Sequence, residues 1–390
     1  MTRAPRALVT DGEERAALAA CRGLRLAGYE VTVARHSRLA PAAWSRSCER
    51  RIFLPDPRNS PREFADQLVE QIKRHEWDVL LPGSEASLLP ISTYRDELEP
   101  HVTIGLPPHP LVVDSLDKVL LQERAAEVGL APPPSMVCES PQAAEEAAAR
   151  FGFPVVLKPT RSYHETRGAL RQRLSEIVSD PRALETSLRR LGFPLLVQQF
   201  AREPRLVSCA GVLTDAGLAG FTVTRYQRTW PPSGGNASFA TTVAPPGGLR
   251  ELVGRLVASF GWRGIFELEL LQLGERFGAL DLNPRVFGWL SLAIWAGANL
   301  PAIWCDHVLG RLTRSADAAP GRRYRWEEGE VKYVLRNLRR GDIRALSPIR
   351  PHRRVVHACF QLRDPAPLVA QALLAAQRAS TNAASRRDAG

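Results

Sequence analysis

The chain has 390 residues, 44% hydrophobic and 24% charged, with a formal net charge of +11. This is the size and composition of a globular protein with two or three domains sharing sizeable cores. Six scattered cysteines form no CxxC pair, which argues against a zinc site or disulfide framework and fits a reducing cytoplasm.

Met1 to Ala7 lead into LVT without a long apolar stretch, so no secretory leader is expected. Residues 6–34 read as strand, polar turn, amphipathic helix and strand, with Gly28 where the helix stops. Residues 49–55 add a short apolar run. SPREFADQLVEQIKRHEW follows, a helix with Phe64, Leu68, Val69 and Ile72 on one face and Ser60-Pro61 at its start. DVLLPG then gives a strand and leads to a loop at Ser84–Glu85. Strands alternating with helices predict a doubly wound parallel sheet over residues 1–112. The first turn reads TDGEER rather than GxGxxG, so a dinucleotide site is not supported.

DSLDKVLLQERAAEVGL predicts one capped helix with Lys118 in its first turn. Beyond the APPPS connector come a helix, a strand ending on Lys158 and a buried strand PLLVQQF. RLVSCAGVLTDAGLAGFTVTRYQ predicts an antiparallel hairpin, and TWPPSGGNASFATTVAPP a long loop. Helix RELVGRLVASFGW precedes FELELLQLGERFGALDLNPR, which predicts two strands around a three-residue turn at Gly274, Glu275 and Arg276. Such a turn sets Glu269 opposite Asp281 and Glu267 opposite Asn283, with Arg285 continuing the same face. Like charges directly across a sheet repel unless a cation sits between them, and oxygen ligands of this kind suit Mg²⁺. VFGWLSLAIWAGANLPAIWC has the length of a membrane span, but Asn299, Pro301 and two glycines favour a helix buried against a sheet. From Arg311 to Arg363 there are 14 Lys or Arg against 5 Asp or Glu. Their dispersal among apolar residues and the lack of a recognition motif argue against nucleic acid and for a basic C-terminal region. STNAASRRDAG is expected to fray.

The motifs resemble, in order, those of the ATP-grasp superfamily, over residues 5 to 310 and in particular its carboxylate–amine ligase and carbamoyl-phosphate-synthase-like branch. LDK with Lys118 is similar to the first ATP-contacting lysine, and PVVLKP with Lys158 to the strand-end lysine that reaches the phosphates. LLVQQF, with Gln198, Gln199 and Phe200, resembles the adenine-binding hinge strand. WRGIFELELL and LDLNPR resemble the metal-binding strands, with Glu269, Asp281 and Asn283 at ligand positions. The resemblance implies a fold of mixed α/β and α+β class. It comprises a pre-ATP-grasp domain (1–112), an ATP-grasp domain (113–312) with a lid at about 130–197 and an antiparallel catalytic sheet at about 198–312, a basic region (313–378) and a tail (379–390).

The implied activity is ATP- and Mg²⁺-dependent joining of a carboxylate to an amine through an acyl phosphate, with Mn²⁺ able to replace Mg²⁺ and amino-acid or peptide-like substrates as the default. Alternatives are another acceptor, thiol or carbamate-type, or nucleotide binding without turnover. Arg285 and Lys158 are the expected catalytic groups. Arg225, Arg228, Glu85, Ser233, Gly234 and Gly235 are the expected substrate contacts, the two glycines as hinges of a closing loop. A homodimer is compatible with these features. Two departures stand out: the segment after Lys158, RSYHETRGAL, holds a single glycine where the family carries a glycine-rich phosphate loop, and Asp281 stands where Glu is usual.

Overall fold

Short apolar runs form the strands β1 (Arg6–Val9), β2 (Glu30–Arg35), β3 (Arg50–Phe53) and β4 (Val79–Leu81), which pair in parallel in the order β3-β2-β1-β4. Helices α1 (Arg15–Leu26), α2 (Pro41–Trp44), α3 (Pro61–Arg74), α4 (Glu85–Thr93) and α5 (Arg95–Leu98) complete this layer. The predicted α3 face is the buried one, since Phe64, Leu68, Val69 and Ile72 all lie in the core. Consecutive connections run from β1 toward β3, and then the chain crosses to β4 on the other side of β1. The loops after β1 and β4 therefore flank a topological switch point, where open α/β sheets leave a crevice. This computed structural model describes residues 3–201, 205–232, 234–313, 315–342 and 354–387.

The helix predicted from Asp114 is two helices, α6 (His109–Ser115) and α7 (Lys118–Glu127). Asp117 breaks the run because its carboxylate accepts from the amides of Val119 (2.8 Å) and Leu120 (3.2 Å), capping α7 and placing Lys118 first in it. The next unit contains β5 (Ser135–Cys138), α8 (Pro141–Phe151), β6 (Val155–Pro159), the hairpin β7 (Tyr163–Thr166) and β8 (Ala169–Gln172), then β9 (Glu176–Val178), α9 (Pro181–Leu191) and β10 (Leu195–Gln199). Its sheet runs β5-β10-β6-β9. Val155, Leu157, Leu195 and Val197 bury one face under α8 and α9. By strand alternation Lys158 and Gln198 lie on the other face.

The large sheet has the order β15-β14-β11-β12-β13-β16-β17. It is built from β11 (Arg205–Thr214), β12 (Gly217–Trp230), β13 (Asn236–Val243), β14 (Gly264–Leu273), β15 (Arg276–Asn283), β16 (Arg323–Arg325) and β17 (Val355–His357). Helix α10 (Leu249–Ser259) covers the face that carries Val207, Cys209, Val223 and Leu268. Two expectations change here. The long loop shrinks because Asn236–Val243 is a strand, held by β12 on one side and β16 on the other. The apolar segment after Arg285 breaks at Gly297 (φ 110°) into α11 (Leu290–Trp295) and α12 (Leu300–Val308). Asn299 then ties α12 to α1 through the Gly23 carbonyl at 2.8 Å. Among the described residues no helix is long and apolar enough to cross a membrane.

The basic C-terminal region adds β16, β17, α13 (Glu327–Leu338) and α14 (Ala366–Arg387). Arg22 and Asp364 pair at 2.9 Å and anchor it to the first layer. The segment expected to fray continues α14 to Arg387, because alanine is common there and no glycine or proline interrupts it. The six cysteines are buried and free.

Candidate active site

The β14–β15 hairpin carries the expected pairs, Glu269 opposite Asp281 and Glu267 opposite Asn283. The route to that register differs from the expectation. Leu273 pairs with Arg276, so the turn has two residues, with Gly274 at φ 64°, a conformation costly for residues with a side chain. A bulge between Glu269 and Leu270 then leaves Leu280 unpaired and restores the register beyond it. The bulge also serves the site, because the Leu280 carbonyl accepts a hydrogen bond from Lys158 Nζ at 3.5 Å.

Two lysines from different elements meet this wall. Lys118, first in α7 and buried, donates from Nζ to Asp281 Oδ1. Lys158, at the end of β6, is 8% exposed. Burial, and then the nearby Lys118 charge, push the Lys158 ammonium down to about 8, with Asp281 and Glu269 only partly compensating. Glu269 forms no hydrogen bond or ion pair among the described residues. Burial, with Glu267 and Asp281 beside it, pushes its carboxyl up to about 8.

Glu267 has a different character. Its Oε1 accepts from Ser208 Oγ (2.9 Å), Tyr226 Oη (3.0 Å) and Trp289 Nε1, and its Oε2 from Asn283 Nδ2 (3.3 Å). Burial raises its pKa against the pull of these donors. A carboxylate already saturated in this way holds neighbours in place; Glu269 and Asp281 have more to offer a ligand. Ser208, Tyr226 and Trp289 gave no local signal in the sequence, since only the folded sheet brings β11, β12 and the start of α11 around Glu267. Arg285 Nη2 donates to Asn283 Oδ1 (3.0 Å) and Nη1 to the Val286 carbonyl (2.9 Å), while its buried Nε has no hydrogen-bond partner among the described residues. Glu85, first in α4, is 6% exposed, and burial raises its carboxyl pKa against the pull of Arg285 and then Lys118.

The remaining expected residues divide. Gln198 is buried on the Lys158 face and donates from Nε2 to the Pro133 carbonyl at 3.3 Å. Gln199 is exposed, and its pairing with Val155 puts it on the opposite face; Phe200 follows the strand, half-buried. Arg225 pairs with Val207, so it projects from the sheet face turned away from the carboxylates. Arg228 is committed elsewhere. Its Nε donates to Glu330 Oε1 (3.0 Å) and Oε2 (3.1 Å), Nη2 adds a further bond, and the guanidinium lies 4.5 Å from the Phe239 ring centroid. Gly234 and Gly235 sit at the tip of the β12–β13 hairpin, with no hydrogen bond to the carboxylate wall among the described residues. Ser233 lies outside the described residues.

The donor set fits Mg²⁺ in a specific sense. Among the described residues no three His, Cys, Asp or Glu side chains gather to hold an ion alone. Two facing carboxylates and an amide suit a cation that takes its remaining ligands from substrate phosphates and water.

No family model matches the chain. The carbamoyl phosphate synthase large chain of Rubrobacter xylanophilus is 26% identical over 173 residues, covering 42% of this chain and 15% of that protein. The chain thus spans less than a third of the length of the curated relatives it matches. Among solved structures, N5-carboxyaminoimidazole synthetase from Staphylococcus aureus superposes with a TM-score of 0.62 at 11% identity, covering 83% of this chain and 82% of that one. A biotin carboxylase–beta-gamma-ATP complex from Campylobacter jejuni gives 0.62 at 15% identity, over 80% and 72%. The L-amino acid ligase of Bacillus licheniformis gives 0.60 at 14%, over 83% and 79%. The chain has the ATP-grasp fold. The order of motifs therefore carried the architecture correctly. Within this ATP-grasp frame the glycine-poor segment after Lys158 is the ordered β7–β8 hairpin, turning through Arg167 (φ 53°) and Gly168 (φ 73°).

Proposed function

We propose that the protein is an ATP- and Mg²⁺-dependent ligase that joins a carboxylate to an amine through an acyl phosphate, releasing ADP and phosphate. One observation carries this reading: Lys118 and Lys158, from two separate elements, converge on a wall where Glu269 faces Asp281. Two buried lysines sharing so few counter-charges form a receptor for a polyanion, and the paired carboxylates beside them suit the cation that accompanies one. Likeness to a carboxylate-activating synthetase, a biotin carboxylase and an amino acid ligase supports the same class.

In this mechanism Lys158 and Lys118 hold the phosphates, with Lys118 exchanging its contact with Asp281 for the incoming anion. Glu269 and Asp281, with Asn283, would hold Mg²⁺, which supplies charge neutralisation to the transferring phosphoryl group. Gln198 and the backbone of β10 line the lid face on which adenine would lie. Arg285, fixed by Asn283 and the Val286 carbonyl, keeps a free buried Nε for the carboxylate under activation. Attack of that carboxylate on the γ-phosphate brings two anions together, so fixed cationic side chains lower the barrier. The resulting acyl phosphate reacts with an amine without a covalent enzyme intermediate. Amino-acid or peptide-like substrates are the class proposed.

The test is ADP release from ATP and Mg²⁺ in the presence of pooled amino acids. Stimulation by a particular acid–amine pair, with the ligated product seen by mass spectrometry, supports the ligase. Tight ATP binding without turnover across all pools would reject it.

A further inference from the structure

The carbonyl of Gly288 joins parts of the chain that are far apart in sequence. It accepts from Arg15 Nε in α1 at 3.0 Å and from Tyr324 Oη in β16 at 3.0 Å. The Arg15 guanidinium lies 4.0 Å from the Trp326 ring centroid, and Tyr324 is fully buried. A Cβ on residue 288 would come within 2.4 Å of Arg15 Nη2, so Arg15 fills the space a larger residue would need. The next residue, Trp289, is 2% exposed. Its Nε1 donates to Glu267 Oε1 and, at 3.0 Å, to Tyr226 Oη. Glu267 passes the constraint on, because its Oε2 accepts from Asn283 Nδ2 at 3.3 Å. On its other side Asn283 Oδ1 accepts from Arg285 Nη2 at 3.0 Å. A carboxylate only accepts and a guanidinium only donates, so these two neighbours fix which end of the amide is which. The oxygen, the only end of an amide that binds a cation, keeps a second lone pair for one.

We infer that Trp289 is a positioning residue for the metal wall: it holds Glu267, and Glu267 turns the Asn283 amide so that its oxygen serves the cation. The clamp on Gly288 makes this arrangement depend on Tyr324, and so gives the basic C-terminal region a task in the site. The inference rests on the ligase reading and deepens it. Glu269 and Asp281 face each other across the hairpin ladder, which sets their register. Asn283 is the last residue of β15, where the ladder ends and a side chain needs another restraint. Groups that orient a ligand in this way tune metal affinity without touching the metal. A purely structural role for Trp289 would instead weaken nucleotide binding equally with and without Mg²⁺.

The experiment is calorimetric titration of the whole protein with the ATP analogue AMP-PNP, once with excess Mg²⁺ and once with EDTA. The quantity read is the factor by which Mg²⁺ tightens AMP-PNP. Trp289→Phe keeps an aromatic ring and removes the Nε1 donor, while Tyr324→Phe removes one donor from the Gly288 carbonyl. Each should cut the factor about threefold or more, the scale of one lost hydrogen bond, and leave the affinity in EDTA within about twofold, since both lysines are untouched. The control is Thr242→Val. It removes a buried hydroxyl that donates to the Ala319 carbonyl at 2.8 Å, tying the sheet to the C-terminal region without a bond to Glu267 or Trp289, and should leave the factor unchanged. An unchanged factor in folded Trp289→Phe would overturn the inference. So would an equal loss in Thr242→Val, or a loss of the same size in EDTA, since either marks a general loosening. An unchanged factor in Tyr324→Phe alone would overturn the link to the C-terminal region, and if Trp289→Phe fails to fold it would overturn the whole. Failure of wild type to bind AMP-PNP, or to bind it more tightly with Mg²⁺, would instead reject the ligase reading.

Discussion

Replacing Lys158 with methionine should stabilise the ligand-free protein and destroy its response to nucleotide. Lys158 Nζ has one hydrogen bond, to the Leu280 carbonyl at 3.5 Å, and burial beside Lys118 lowers its affinity for the proton. The drop from 10.5 to about 8 corresponds to roughly 3 kcal/mol against folding, at about 1.36 kcal/mol per decade. The sign follows from linkage. The unfolded chain binds this proton more tightly than the native state, so the cost is fully present below about pH 8 and fades as pH rises toward 10.5. Methionine has a similar length and no charge to desolvate. Urea denaturation at pH 7 should therefore find Lys158→Met more stable than wild type by about 1–3 kcal/mol, part of the gain being lost to imperfect packing. At pH 10 the difference should shrink, because the remaining titrating groups are common to both proteins. Saturating Mg·AMP-PNP at a hundred times its Kd should stabilise wild type by about 2.7 kcal/mol and the variant far less. A variant less stable than wild type at pH 7, yet still stabilised by AMP-PNP, would refute the view of Lys158 as an unpaired cation waiting for a polyanion.

Other perturbations separate the roles of neighbouring groups. Asp281→Asn should lower ATP turnover by at least about a hundredfold, on the scale of losing a metal or phosphate contact, and should lower the urea midpoint as well, because it strips the buried Lys118 of its counter-charge; substantial residual activity would remove Asp281 from the site. Glu267→Gln turns an acceptor of four donors into a partial donor, so it should cost about 1–3 kcal/mol in urea denaturation while retaining measurable Mg²⁺-dependent turnover. Abolished turnover without loss of stability would make Glu267 a ligand rather than a support. Arg228→Ala strips the buried Glu330 of its two-point partner while the Ser238 hydroxyl still donates to it at 2.8 Å, which should cost about 3 kcal/mol, the low end for breaking a buried pair, without altering KM for any substrate in the surviving folded enzyme. A stable protein with a raised KM would return Arg228 to substrate binding.

Legibility in the sequence depended on how local each determinant is. The carboxylate pairing was readable because alternation along two adjacent strands leaves few registers that bury Phe266, Leu268 and Leu282 on one face. Even so, the turn was misjudged by one residue, and the bulge that offsets it sits at Leu280, where the local pattern gives no sign of an interruption. The bulge is satisfied at a distance: its carbonyl meets Lys158, which arrives from the end of β6. Asn236–Val243 was hidden for a related reason. Its small polar residues suit a loop as well as a strand, and only β12 and β16 on its two edges decide the matter. Arg228 is expected at the substrate because TRYQRTWPP resembles an arginine segment beside an acceptor pocket, whereas the partner it pairs with, Glu330, stands 102 positions away. Glu85 and Arg285, 200 positions apart, show the same effect: burial raises the Glu85 carboxyl pKa against the pull of Arg285 and then Lys118, and among the described residues the buried Arg285 Nε has no hydrogen-bond partner.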